Sequence, residues 1–194
     1  MRRKIIRESR GFMKPGQDIV AAGFAGMAGT LAIVREKREE LEQYFSSSYI
    51  ETIYNKKKEE SDRNLEQWKE FGATEWEPAG EGGKLTALWN LSGAYGVGIE
   101  FTLRQIPVKQ ETIEICEYYD LNPYRLYSEG CVLLIANHGG RLTERLKREG
   151  IFSVVIGKVN EGAKMEILME EGAACLDRPQ KDELEKVIPG YFQR

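Results

Sequence analysis

Short apolar runs alternate with charged amphipathic ones from end to end of this 194-residue chain, and few folds accept that order. Asp18 to Ala22 (DIVAA) reads as a short buried strand that runs into a glycine-rich turn. MAGTLAIVREKREELEQYF then sets Leu31, Val34, Leu41 and Phe45 near helical spacing, with charges on the opposite face. Ser46, Ser47 and Ser48 break that helix and offer an N-cap to a second one, Tyr49 to Phe71, with a thin apolar stripe of Ile50, Ile53, Tyr54, Leu65 and Trp68. Gly72 ends it, and ATEWEP is extended and closed by Pro78. A helix from about Lys84 to Ala94 follows, then the strand GVGIEFTL, the helix KQETIEICEYYD, a loop and the buried strand Cys131 to Ala136. The helix GGRLTERLKREG carries its basic residues toward its C-terminal end, as its dipole prefers. FSVVIGKV and KMEILME read as strands joined by a hairpin-like NEGA, and PQKDELEKVI as a last short helix. The implied architecture is one α/β (α+β) domain over 15–194, a mixed β-sheet covered by helices, preceded by a basic tail over 1–14.

Bulk chemistry narrows the function classes. A net charge of −3 gives no reason to expect nucleic acid as a partner, and the mixed signs of NKKKEESDRN argue for a solvated face rather than a basic patch. No stretch approaches the apolar length of a membrane span, and the basic N-terminus lacks the apolar core of a signal peptide. Cys116, Cys131 and Cys175 are far apart and have no ligand-spaced histidine, since His138 is the single one; they read as reduced thiols of a cytoplasmic protein.

Two glycine turns are the candidate sites. In GFAGMAGT, Gly26, Gly29 and Thr30 open a helix, where exposed N–H groups favour an anion and absent Cβ atoms let it approach. No GK[ST] follows, so this is not P-loop spacing, and tight strand-to-helix packing explains the same glycines. In EPAGEGGK, Glu81, Gly82 and Gly83 precede a helix, with Glu75 and Glu77 upstream and Lys84 to offset them. Three carboxylates near a phosphate are repulsive unless a divalent cation intervenes. His138 in NHGG reads as a polar cap or a ligand contact. Ser128 has no histidine placed to activate it as a nucleophile. Tyr118, Tyr119, Tyr124 and Tyr127 read as packing or as an oligomer contact.

Taken together, MKPGQDIVAAGFAGMAGTLAIVREKREELEQYFSSSYI, EGGKLTALWNLSGAYGVGIEF, IPVKQETIEICEYYDLNPYRLYSEGCVLLIA and GIFSVVIGKV resemble the C-terminal domain of the aminoimidazole ribonucleotide (AIR) synthase superfamily, over about residues 13–188. The branch most similar to them is that of the hydrogenase maturation factor and its AIR synthase-related cousins. The resemblance implies glycine turns facing a nucleotide or substrate phosphate, with ATP and Mg²⁺ held largely by an N-terminal half. It implies that this chain corresponds to the C-terminal half alone. Ala28 stands where that branch usually has an acidic residue, and Pro78 and Gly80 stand where it carries Asp and Thr. The terminal IPGYFQR lacks the cysteine tail of the maturation factor, and Cys175 lies too far inside to replace it.

Three functions remain compatible with these residues. The first is a binding or assembly module, homodimeric, with a degenerate phosphate site at Gly26, Gly29, Thr30, Glu81, Gly82 and Gly83, no cofactor of its own, and no catalytic or metal-binding residue. The second is half of a split ATP-dependent enzyme, completed by a separately encoded ATP-binding domain that brings ATP and Mg²⁺. The third is a sensor of a small phosphorylated metabolite.

Overall fold

The computed structural model describes residues 11–63 and 65–193. In chain order the elements are β1 (Asp18–Ala22), α1 (Met27–Glu36), α2 (Arg38–Leu41), α3 (Ser47–Tyr54), α4 (Leu65–Glu70), β2 (Ala73–Ala79), α5 (Gly83–Tyr95), β3 (Gly98–Thr102), α6 (Gln110–Tyr119), β4 (Cys131–Ala136), α7 (Gly139–Arg148), β5 (Ser153–Asn160), β6 (Met165–Met169), β7 (Gly172–Cys175) and α8 (Leu184–Val187). The strands form one mixed sheet in the order β2-β4-β1-β5-β3-β6-β7, in which only β3 and β6 run parallel. This is the helix-covered α/β sheet implied by the sequence.

Residue alternation divides the sheet into two apolar faces. Ile19 and Ala21 of β1 join Leu133 and Ile135 of β4 beneath α5, whose Leu85, Leu88 and Leu91 are buried there. Val20, Ala22, Val132 and Leu134 face the other way and are covered by Leu142 and Leu146 of α7 and by Trp68 of α4. A third apolar cluster lies between helices, where Leu31 and Val34 of α1 meet Ile50 and Ile53 of α3, Ile115 of α6, and Leu184 and Ile188 near the C-terminal end. Pro78 is tolerated inside β2 because that strand is an edge of the sheet, where one row of N–H groups has no ladder partner.

Two expectations are corrected, and one strand is added. The helix expected over 49–71 is two short helices, α3 and α4, separated by a strap of irregular chain. The strap covers Gly130, just ahead of β4: Ser61 N–H donates to Gly130 O at 2.7 Å, and Trp68 Nε1 donates to Ser61 O at 3.0 Å. A continuous helix cannot hand its backbone N–H groups to another element in this way. The expected hairpin at NEGA is not one: β5 and β6 are separated by β3, which pairs antiparallel with β5 and parallel with β6. Gly157 makes that insertion possible, since a Cβ there would lie 2.0 Å from Glu100 O. One strand, β7, is present without having been expected.

Residues 1–10 of the expected basic tail lie outside the described residues. Residues 11–14 lie against the domain, with Phe12 N–H donating to Thr74 O at 2.9 Å and Met13 buried. No helix among the described residues is long and apolar enough to cross a membrane.

Candidate functional site

The fold brings the two glycine turns onto one irregular segment, residues 122–128. The first turn leaves β1 and enters α1 at Gly26, which caps the helix at φ 74°, a backbone conformation natural to glycine. Gly26 N–H donates to Ser128 Oγ at 2.8 Å, and Ser128 Oγ in turn donates to Leu126 O at 2.8 Å. Gly29 N–H donates to Tyr127 O at 2.9 Å, and a Cβ on Gly29 would lie 2.5 Å from Leu126 Cγ. Thr30 is buried; its hydroxyl donates to Gly26 O at 2.9 Å and lies 3.0 Å from Thr112 Oγ1.

The second turn leaves β2 and enters α5. Gly82 and Gly83 are buried, whereas Glu81 is exposed. Gly80 O accepts from Gly83 N–H at 3.1 Å and from Ser128 N–H at 3.1 Å, so the turn is tied to the same central segment. Leu85 N–H adds a bond to Tyr124 O at 3.2 Å. Gly82 N–H, at the N-cap of this helix, donates to Asp182 Oδ2 at 2.5 Å. The other oxygen of Asp182 accepts from Tyr127 N–H at 3.1 Å and Leu184 N–H at 2.8 Å. Burial pushes the Asp182 carboxyl up to about 6, against the pull of its N–H donors and with a small further push from Glu81.

Two of the carboxylates read as a cluster from the sequence, Glu75 and Glu81, lie in different settings. Glu75 is fully buried near the start of β2, where it accepts Trp76 N–H at 2.8 Å and the hydroxyl of Tyr95, well before the turn in which Glu81 is exposed. Among the described residues, no three His, Cys, Asp or Glu side chains form a group able to hold a metal ion. Ser128 is a buried hydrogen-bonding bridge between the turns, a role its short motif does not reveal. His138 is exposed at the start of α7 and caps it only through its carbonyl, which accepts from Leu142 N–H at 3.2 Å.

Lys84, one residue beyond the glycines, is fully buried rather than poised over the turn. Its Nζ donates to Gly23 O at 2.5 Å and Ala22 O at 3.1 Å, tying the end of β1 to α5. Burial holds its pKa below the ordinary lysine value; Cys131 and Glu59 nearby act in the other direction. Cys131 is itself buried, donates to Phe24 O at 3.2 Å, and has its thiol pushed up to about 12. Burial likewise raises the Cys116 thiol to about 12, whereas Cys175 is exposed on β7. A thiol-reactive chromophore at pH 8 is therefore expected to modify one cysteine of the folded chain rapidly. That modification disappears in Cys175→Ser, and fast labelling of two or more thiols would contradict the burial of Cys116 and Cys131.

Beside the first turn lies an open groove of about 630 Å³ lined by Phe24, Phe152, Lys57 and Lys109 among others. Phe24 stacks on Phe152 at 4.9 Å, and Lys109 Nζ stands 4.7 Å from the centre of the Phe24 ring. Its other cations are matched: Lys58 pairs with Glu129 at 2.7 Å, and Lys56 and Arg63 pair with Glu111 and Glu60.

Asp182 is the residue at this site that the sequence did not disclose. DELEKV shows an Asp ahead of a short helix, which accounts for its bond to Leu184; Gly82 and Tyr127 lie far away in the chain.

A seven-stranded mixed sheet covered by helices in this order is the architecture of a known class of domains. The chain belongs to the AIR synthase related proteins: residues 14–170 match the family described as "AIR synthase related protein, C-terminal domain". No curated protein sequence matches it. Among solved structures, the HypE–HypF complex aligns with 23% identity and a TM-score of 0.68, covering 86% of this chain and 54% of the other. The hydrogenase maturation protein HypE in complex with ATP aligns with 17% identity and a TM-score of 0.69, covering 90% and 53%. Thiamine-monophosphate kinase from Stenotrophomonas maltophilia K279a aligns with 15% identity and a TM-score of 0.61, covering 88% and 54%. The chain thus spans about half the length of the solved proteins it matches, and at these identities the likeness is one of fold.

Proposed function

We propose that this chain acts as a binding or assembly module on the AIR synthase C-terminal fold, with its phosphate-type turns filled from within. The observation that carries this reading is the fate of the turn N–H groups: Gly26 is bonded to Ser128, Gly29 to Tyr127, and Gly82 to Asp182. A phosphate at Gly26, Gly29, Thr30, Glu81, Gly82 and Gly83 has to displace these partners, so the site is degenerate as a resting receptor. The module is cytoplasmic and self-associates as a homodimer. Leu168 and Met169, exposed near the sheet edge beside a groove lined by Leu103 and Arg104, are apolar surface that self-association would cover.

A second reading is supported by the family match and by the ATP complex of HypE, which is nearly twice as long as the aligned region. Here the chain is the C-terminal half of an ATP-dependent enzyme whose other half supplies nucleotide and Mg²⁺. Sharing a fold with both a hydrogenase maturation protein and a kinase does not choose a reaction.

Sedimentation velocity combined with an ATP hydrolysis assay separates the two. The module reading expects a dimer that hydrolyses no ATP, alone or with Mg²⁺. Co-purification of an ATP-binding domain that restores hydrolysis would replace it with the split enzyme, and hydrolysis by the chain alone would refute it outright.

A further inference from the structure

We infer that the C-terminal segment from Asp177 to Gln193 is an intramolecular latch on the α5 turn, with the Asp182 carboxylate serving as that turn's resident anion. The inference rests on the reading that the turn is filled from within, and it adds the element that fills it and the charge that is required. Asp182 is 1% exposed, and its two oxygens gather N–H groups from three separate stretches of chain: Gly82, Tyr127 and Leu184. The start of a helix as long as α5 favours a negative charge, which a buried carboxylate supplies without a ligand.

Its neighbours hold the same ground. Glu183 Oε2 accepts Asn122 N–H at 3.1 Å, and Glu183 N–H reaches Arg125 O at 3.5 Å, so residues 182 and 183 grip the central segment at both ends. Leu184 and Ile188 are buried against the α1 and α6 cluster, and the rings of Tyr191 and Phe192 pack on Tyr127 at 5.9 and 5.2 Å. Glu185 closes the segment on itself by accepting Gly190 N–H at 2.9 Å. The family match ends at residue 170, so the matched body contributes the turn and the stretch beyond it contributes the anion. The latch is autoinhibitory in form: an external oxyanion reaches Gly82 only when Asp182 leaves, and exposed Glu81 disfavours a second negative charge beside the first.

The test compares the full chain with Asp182→Ala and Asp182→Asn. Hydrogen exchange read by mass spectrometry should accelerate on the order of tenfold in Asp182→Ala over peptides spanning 80–83, 126–128 and 177–193, with smaller changes elsewhere. Asp182→Asn, which keeps an acceptor oxygen but loses the charge, should fall between the two. Melting in sodium formate or inorganic phosphate against sodium chloride of equal ionic strength gives the second readout. A saturable rise in Tm is expected in Asp182→Ala and absent from the parent. A folded Asp182→Ala chain with parental exchange, or with no anion-specific rise, overturns the latch. If that variant does not fold, unchanged exchange at 80–83 in Asp182→Asn overturns it equally. ATP hydrolysis by the parent alone would refute the module reading without altering these outcomes, and a failed anion response would refute the latch while leaving that reading in place.

Discussion

Lys84→Ala is expected to lower the unfolding free energy by about 2–4 kcal/mol, whereas Lys84→Met stays within about 1 kcal/mol of the parent. The asymmetry follows from what each change leaves behind. Alanine empties a fully buried channel and strips Ala22 O and Gly23 O of a donor they hold at 3.1 and 2.5 Å. The cavity and the two under-bonded carbonyls both destabilise. Methionine also removes the donor, but it refills the channel and relieves the desolvation of an ammonium group. The sign of the pH effect is fixed by the same burial. The folded state holds the Lys84 pKa below the ordinary 10.5, so the folded chain releases this proton at a lower pH than the unfolded chain does. The stability contributed by this group is lowest below the folded pKa and rises as pH climbs toward 10.5. In urea unfolding, the parent should therefore gain on Lys84→Met between pH 7 and pH 10. Stabilities that keep a constant difference across that range would mean the ammonium group is not desolvated in the fold.

Parts of this architecture are legible in the sequence because their causes are local. DIVAA and CVLLIA are apolar runs too short for helices, and β1 and β4 occupy them with the same ends read from the sequence. The start of α5 is legible for a similar reason, since paired glycines punctuate the chain. What was not legible depends on residues distant in sequence. The charged stretch between α3 and α4 looks helical by composition, but it is recruited to cover Gly130, whose absent side chain leaves room for the Glu59 backbone. NEGA looks like a hairpin because the two strands beside it are adjacent in sequence; the sheet puts β3 between them through contacts that no local pattern encodes. Ligand-facing glycines and packing glycines share one signature. Here Gly29 abuts Leu126, and the turn N–H groups of Gly26 and Gly82 meet Ser128 and Asp182, far along the chain. Composition could mark both turns, but it could not say what fills them.

Gly83→Val is the substitution expected to damage the site most, lowering stability by about 4 kcal/mol or more, a large share of what holds a domain of this size together. Gly83 begins α5 at φ 64°, in the left-handed region that a β-branched residue enters only under strain. Space is the larger obstacle. A Cβ there would stand 2.4 Å from Tyr124 O and 2.8 Å from Leu126 O, and these are backbone atoms that cannot rotate aside. They belong to the segment that both glycine turns clamp, so making room means moving the Leu85 bond to Tyr124 and the Ser128 bridge to Gly26 together. Gly93, further along α5, provides the control. Nothing lies within 4 Å of the Cβ it lacks, so Gly93→Ala should stabilise by about 0.5–1 kcal/mol through helix propensity alone. Denaturant unfolding of the two variants beside the parent measures both signs at once. A Gly83→Val chain as stable as its parent would mean that the turns do not clamp the central segment, and the packing assigned to this site would have to be abandoned.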